Sequence, residues 1–274
     1  MYSRVYVEIT NMCNMHCSFC HGHSRELRQM TENEYAHVLK QLAGKTQYIY
    51  HHLMGEPLTH PLLPRFVQMA REAGFRPMLT TNGTLLDRLE NLEGLHKVNI
   101  SLHSFEDNDL DAHRHYIRKI AAFAHKANQA GTIISLRLWN NGCDDGKNDI
   151  AIAVLKESLP GEWIPNSRGC RIRDKLFLEW GDRFAWPDLN APDHGDRVFC
   201  YGLQDHFGIL CDGTVVPCCL DSDGVIALGN VFQEELSDIL ASPQAIAMAE
   251  GFRQRKATEE LCRRCGYAQR FQGK

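Results

Sequence analysis

No stretch of this chain stays apolar over the roughly 20 residues that a membrane-spanning helix requires. Its N-terminus, MYSRVYVEIT, lacks the apolar core of a secretory signal. These absences predict a cytoplasmic protein. A cationic excess is missing too. The chain has 30 Lys and Arg against 34 Asp and Glu, a formal net charge of -4, which excludes a general nucleic-acid binder working through a basic surface. There is no internal repeat and no low-complexity tract, so a repeat architecture is excluded. Hydrophobic residues make up 43% and charged residues 23% of 274. That is enough for one large domain, or for one domain with a smaller appendage.

Cysteine, in contrast, is abundant. Eleven are present, and a reducing compartment disfavours structural disulfides, so clustered thiols read as metal ligands or reactive groups. Cys13, Cys17 and Cys20 form one set, spaced C-x3-C-x2-C in CNMHCSFC. Cys200, Cys211, Cys218, Cys219, Cys262 and Cys265 form a second. Cys143 and Cys170 stand apart. Three thiolates hold three irons of a [4Fe–4S] cube and leave the fourth open to a non-protein ligand. The alternative is a zinc knuckle that borrows a distant fourth ligand.

The first two thirds of the chain alternate between strand-like and helix-like segments. VYVEIT (Val5–Thr10), YIYHHL, RPMLTT, KVNISLH and TIISLRLWN read as strands, and DKLFLEW as a sixth. Between them lie helices: one starting at the capping box Thr31/Glu34 and ending at Gly44, one closing at Gly74, a short one over 83–92, a long one over Asn108–Gln129, and one near Asn148–Ser158. Five or six βα units are too few for the eight of a closed barrel, which needs ~250 residues. The expected fold is therefore α/β, a partial, open TIM-like (β/α)5-6 barrel, with its chemistry at the carboxyl ends of the strands. Residues 1–182 form this barrel. Beyond it, an irregular Pro/Asp/Gly-rich stretch leads to a hairpin turning at Asp212–Gly213 and to short helices, a second unit over 183–274.

The combined features resemble the radical S-adenosylmethionine (SAM) enzymes. In that family C-x3-C-x-aromatic-C holds a [4Fe–4S] cluster whose open iron is chelated by SAM, which implies Cys13, Cys17 and Cys20 as ligands and Phe19 beside the adenine. MGEP (Met54–Pro57) resembles the family's GGEP motif, with Met54 replacing one glycine. The resemblance implies that Gly55 and Glu56 hold the SAM amino group. TTNG ends the third strand as in many relatives, which makes Asn82 a candidate SAM-pocket residue. Ser101 and His103 in NISLH are expected on one face of the fourth, with Ser101 reaching the SAM ribose or carboxylate. On the fifth, Arg137 is a carboxylate partner, and the backbone near Leu138 faces the adenine.

The C-terminal cysteines resemble the family's SPASM/twitch auxiliary-cluster region. Cys200, Gly213 and Cys218 fit its opening C-x12-G-x4-C, and Cys262 and Cys265 complete four ligands for a second, closed [4Fe–4S] cluster. This layout is similar to that of radical SAM aminocyclitol dehydrogenases. A zinc site with four cysteine ligands is the competing reading, while Cys211 and Cys219 read as small buried residues. The activity implied is reductive cleavage of SAM to a 5′-deoxyadenosyl radical, fed by a flavodoxin- or ferredoxin-type donor. The radical then takes a hydrogen from the substrate, in a two-electron oxidation of a small molecule. Rivals are a maturase that modifies a peptide or protein (thioether, C–C bond or epimerisation) and a non-catalytic iron–sulfur or zinc scaffold. The chain starts at the first barrel strand, so no preceding peptide-recognition domain is expected. Cys143 and Cys170 are candidate hydrogen donors, as some family epimerases require. His51, His103, His113, Arg114, His115, Asn140 and Arg183 are candidate substrate contacts, and the basic HGHSRELR after Cys20 is a candidate anion site.

Overall fold

A computed structural model describes residues 1–89 and 93–271. Its strands are β1 (Arg4–Val7), β2 (Tyr48–Tyr50), β3 (Arg76–Thr81), β4 (Lys97–Ser101), β5 (Ile133–Asn141), β6 (Ile164–Asn166), β7 (Gly169–Arg173), β8 (Leu176–Asp182), β9 (His206–Ile209), β10 (Thr214–Val216) and β11 (Gly229–Asn230). They form one open sheet in the order β11-β10-β9-β1-β2-β3-β4-β5-β8-β7-β6. From β9 through β1–β5 to β8 every pairing is parallel, and antiparallel strands finish both edges. The barrel is thus partial and open, and DKLFLEW is its sixth strand. Among the described residues no helix is long and apolar enough to cross a membrane.

Alternation along the parallel strands sorts side chains into two columns. Val5, Ile49, Leu79, Ile100, Ile134 and Leu136 point to the helices. There they join Tyr35 of α1 (Glu32–Leu42), Phe66 of α2 (Leu63–Glu72) and Ile117 and Ile120 of α3 (Leu110–Gln129) in one core. The other column lines the inside of the barrel and is polar. Thr80, Asn99 and Ser135 stand in register across β3, β4 and β5, and Asn99 Nδ2 donates to Thr80 Oγ1 at 3.1 Å. Tyr6 stacks on Tyr50 one layer below, with ring centroids 5.3 Å apart.

The Thr31/Glu34 capping box starts α1 as read from sequence, and α4 spans Lys147–Ser158. The helix expected over 83–92 is a single 3-10 turn at Leu86–Leu89, and its last positions, 90–92, lie outside the described residues. Three short helices, α5 (Leu236–Leu240), α6 (Pro243–Arg253) and α7 (Glu260–Arg263), follow the C-terminal hairpin. The expected hairpin is β9–β10. Gly213 turns it at φ +89, where a Cβ would lie 2.5 Å from the Phe232 ring. That hairpin extends the barrel sheet, with β9 lying parallel to β1 over four register pairs.

Candidate active site

The loop from Glu8 to Met30 joins β1 to α1 and carries the first three cysteines. It is pinned at its base. Asn11, 2% exposed, donates through Nδ2 to Glu26 O at 2.8 Å and accepts from Arg28 N at 2.7 Å. Held this way, the loop projects Cys13 and Cys20 to the surface with Cys17 half-buried. Distant parts of the chain grip its far side. Glu106 accepts from Ser18 N at 2.8 Å and from Ser18 Oγ at 2.6 Å. Arg183 donates to Ser18 O at 3.2 Å, and Trp186 Nε1 to Phe19 O at 2.9 Å.

The turn after β2 closes on this loop. Gly55 has φ +73, and a Cβ there would lie 2.5 Å from Thr10 O and 2.8 Å from Met12 O, so only glycine fits. Glu56 N donates to Met12 O at 2.8 Å. The Glu56 side chain is 1% exposed and accepts from Leu58 N at 3.0 Å and from Asn82 N at 2.7 Å. Burial pushes its carboxyl up to about 7 against the pull of those N–H donors. Glu56 therefore braces the ends of β2 and β3 together. Asn82 extends the brace by donating to Asn14 Oδ1 at 3.0 Å, inside the cysteine loop. Tyr116 carries it to β4, its hydroxyl 2.6 Å from Asn82 O and 3.2 Å from Ser101 O.

One expectation fails at β4. The strand ends at Ser101, and Leu102–Ser104 is a 3-10 turn, so alternation does not carry through to His103. The turn instead places the His103 ring 4.7 Å from Phe19, with Nδ1 3.2 Å from Arg137 O and 3.3 Å from Trp139 N. Cys17 Sγ lies 3.5 Å from Ser104 O. Arg137 faces the interior, with Nε 3.4 Å from Glu179 on β8 and its guanidinium over Trp139 at 4.6 Å. Leu138 is 3% exposed. Thus Cys13, Cys17, Cys20, Phe19, Gly55, Glu56, Asn82, Ser101 and His103 converge on one end of the barrel.

The remaining candidates lie elsewhere. Cys143 is exposed in the turn after β5, and Cys170, 5% exposed on β7, pairs with Leu178 on the helix-facing side, opposite Glu179 and Arg137. Tyr35 and His51 meet behind the sheet, hydroxyl to Nε2 at 2.5 Å. His113 is buried within α3 against Phe105 and Tyr116. Arg114 pairs with Asp111, and His115 is exposed.

Cys200, Cys218, Cys262 and Cys265 come together between the hairpin and α7. Burial first, and then their mutual charge, raise Cys218 and Cys262 well above an ordinary thiol, and Cys200 is pushed up to about 11. Burial and neighbouring charge, Glu106 foremost, likewise push Cys17 to about 11. Sets of this kind ionise when a metal supplies compensating charge and releases their protons. Among the described residues no three His, Cys, Asp or Glu side chains are close enough to share a single ion. The corner ligands of an iron–sulfur cube bind separate irons, and three thiols in one set and four in the other are the donor sets of an open and a closed cube. Cys211, 1% exposed, sits beside Glu8 and Arg25. Cys219 is only half-buried and, like Tyr6 and Trp186, packs against the small cluster of Leu53, Met54, Leu210 and Val216.

Sequence reading missed Glu8, Glu106, Tyr116 and Trp186. For Glu8 a signal existed, a lone acid inside an otherwise apolar strand, VYVEIT. The others come from segments with no motif.

Residues 7–139 match the model of the radical SAM superfamily, and residues 200–266 that of an iron–sulfur cluster-binding domain, SPASM. The chain is 34% identical over 109 residues to a GTP 3′,8-cyclase of Chlorobaculum tepidum, covering 37% of this chain and 33% of that protein. It is 35% identical over 82 residues to an AdoMet-dependent heme synthase of Methanosarcina barkeri, covering 29% of this chain and 24% of that one. The match thus spans a third or less of these relatives. In fold it is similar to BtrN in complex with AdoMet and 2-DOIA (TM-score 0.60, 20% identity, 97% of this chain and 93% of that one). It is also similar to anSMEcpe with bound AdoMet and Kp18Cys peptide (TM-score 0.64, 13% identity, 97% and 94%).

Proposed function

Because this chain belongs to the radical SAM superfamily and carries a SPASM-type iron–sulfur region, we propose that it oxidises a small polar molecule by two electrons after abstracting one of its hydrogen atoms. A radical SAM domain works with a [4Fe–4S] cluster and SAM, and a SPASM domain with auxiliary iron–sulfur chemistry. A [4Fe–4S] cluster held by Cys13, Cys17 and Cys20 would supply the electron that cleaves SAM to the hydrogen-abstracting radical, and an auxiliary cluster held by Cys200, Cys218, Cys262 and Cys265 would take up the second electron from the substrate.

Cys13, Cys17 and Cys20 are assigned to the first cluster, and Cys200, Cys218, Cys262 and Cys265 to the auxiliary one. The boundary between the two units is placed at 182/183. The Met54–Glu56 turn takes the SAM amino end. Glu56 acts there mainly by fixing backbone, since both of its oxygens already accept N–H groups. Ser101 and Arg137 take the ribose and carboxylate, and Phe19 and the Leu138 backbone take the adenine. Trp186 and Arg183 close the loop over the site and keep water from the radical. A flavodoxin- or ferredoxin-type protein supplies the electron.

The observation that carries this reading is the convergence of the three-thiol loop with the Gly55–Glu56 turn and the ends of β3 and β4. The preference for a small polar substrate rests on the polar inner column. Asn99 and Ser135 are fully buried there, and neither Asn99 Oδ1 nor Ser135 Oγ has a hydrogen-bond partner. The test is anaerobic. Reconstituted protein given SAM and dithionite is expected to release 5′-deoxyadenosine. Full iron content without that product overturns the assignment.

A further inference from the structure

Glu8 belongs to no motif, yet it is a fully buried carboxylate directly after β1. Oε2 accepts from Arg25 Nη2 at 2.8 Å and from Met54 N at 3.0 Å, and Oε1 from Cys211 N at 3.2 Å. Arg25 in turn donates through Nε to Ser222 O at 2.8 Å. Next to it, Ser24 N and Oγ both donate to Asp223 Oδ1, at 2.6 and 2.9 Å. One carboxylate therefore ties together the first strand, the far arm of the cysteine loop, the turn after β2 and the C-terminal hairpin.

Met54 is the first residue of the turn assigned to SAM. The next two residues are fixed by the cysteine loop itself, Gly55 by close contact with Thr10 O and Met12 O and Glu56 by its hydrogen bond to Met12 O. Met54 N is fixed by Glu8. Without that acceptor the Leu53–Met54 peptide plane that leads into the turn is free to rotate, and the backbone atoms of the turn leave the place SAM requires. A misplacement of this kind weakens binding although no ligand contact is removed directly.

We infer that Glu8 is a positioning residue for SAM, acting through Met54 N, and that Arg25 is the counter-ion keeping its carboxylate in place. The inference rests on the assignment of the Met54–Glu56 turn to SAM. It goes beyond that assignment by placing control of the turn in a residue that touches neither ligand nor metal.

A purely structural ion pair and a positioning residue differ in a measurable way. Breaking a buried pair on one side destabilises the fold, whereas replacing both partners with apolar groups of similar size largely restores it. Glu8→Leu together with Arg25→Met is such a replacement, and it still leaves Met54 N without an acceptor.

The experiment uses reconstituted holoenzyme with iron content measured for each variant. SAM affinity is read by equilibrium dialysis and by the change SAM causes in the EPR spectrum of the reduced protein. Arg25→Met alone should lower the thermal midpoint, and the double variant should recover most of it. SAM affinity in the double variant should stay roughly ten- to a hundredfold below wild type, the cost of one lost buried hydrogen bond. If affinity recovers together with the thermal midpoint, Glu8 only holds the fold and the inference is overturned. Loss of the first cluster's iron in the double variant, with the midpoint recovered, also overturns it, because Glu8 would then serve metal loading. Failure of the wild-type protein to bind SAM at all would count against the assignment of the turn instead.

Discussion

At the residue scale, the site depends on positions whose side chains do no chemistry. A methyl group at Gly55 would meet two carbonyl oxygens on rigid backbone while forcing a left-handed conformation. Gly55→Ala is therefore expected to cost about 1–3 kcal/mol, read from urea unfolding of the apoprotein. Glu56 gives a pH signature. Its folded carboxyl titrates near 7 and its unfolded one near 4.5. Between these values the folded state holds the extra proton, so the stability it contributes falls as pH rises. The buried His51, His52 and His206 act in the opposite sense, so the Glu56 contribution is read as a difference: the rise in urea midpoint from about pH 5 to 7.5 should be larger in Glu56→Gln than in wild type. The cysteines, the Gly-Glu pair and Asn82 were legible because their residue types are rare and their spacing is local. Trp186 and Glu106 were not, because what makes them functional is proximity to Ser18 and Phe19 across more than 80 residues of chain.

At the scale of elements, strand ends carry the argument. Period-two patterning located the six parallel barrel strands, yet it failed one residue past the end of β4. His103 reaches Phe19 only because a 3-10 turn replaces the pleat. The short antiparallel strands β6 and β7 escaped sequence reading altogether. IPN is exposed along its whole length, and GCRIR alternates Cys170 and Ile172 with Arg171 and Arg173 over only five residues. The β9–β10 hairpin was legible from Asp212–Gly213, and its tightness allows a test. A larger side chain at Gly213 collides with the Phe232 ring and with Asn230 Oδ1 at 2.6 Å. Gly213→Val should distort the hairpin that carries Cys218 and lower iron from roughly eight to roughly four atoms per chain, since each cube holds four. Iron analysis after desalting checks this.

At the scale of the whole molecule, the two halves recognised from sequence share one sheet. A chain cut after Asp182 would lose β9 from beside β1 and leave an unpaired strand edge. It is expected to aggregate on refolding, as size-exclusion chromatography would show. That continuity was invisible in sequence, because parallel pairing between residues some 200 positions apart leaves no local pattern.

The fold also buries histidines in neutral form. Burial holds His51 and His206 near 4 and His52 near 3, against 6.5 when unfolded. The unfolded chain accepts protons that the folded chain refuses, so stability is lost as pH falls from about 6.5 toward 4. Glu56 works in the opposite direction but is one group against three. The apoprotein's thermal midpoint should drop across this range, and drop less in His206→Gln.

The grip on the cysteine loop also has an order in time. Cys13, Cys17 and Cys20 leave the ribosome well before the groups that hold their loop. Arg183 follows Ser18 by 165 residues, Trp186 follows Phe19 by 167, and Asp223 follows Ser24 by 199. With synthesis at ~5–20 residues per second, the loop stays without these contacts for roughly ten seconds or more. Iron delivery machinery has that interval to reach Cys17, which the finished fold half-buries, while Cys13 and Cys20 stay at the surface.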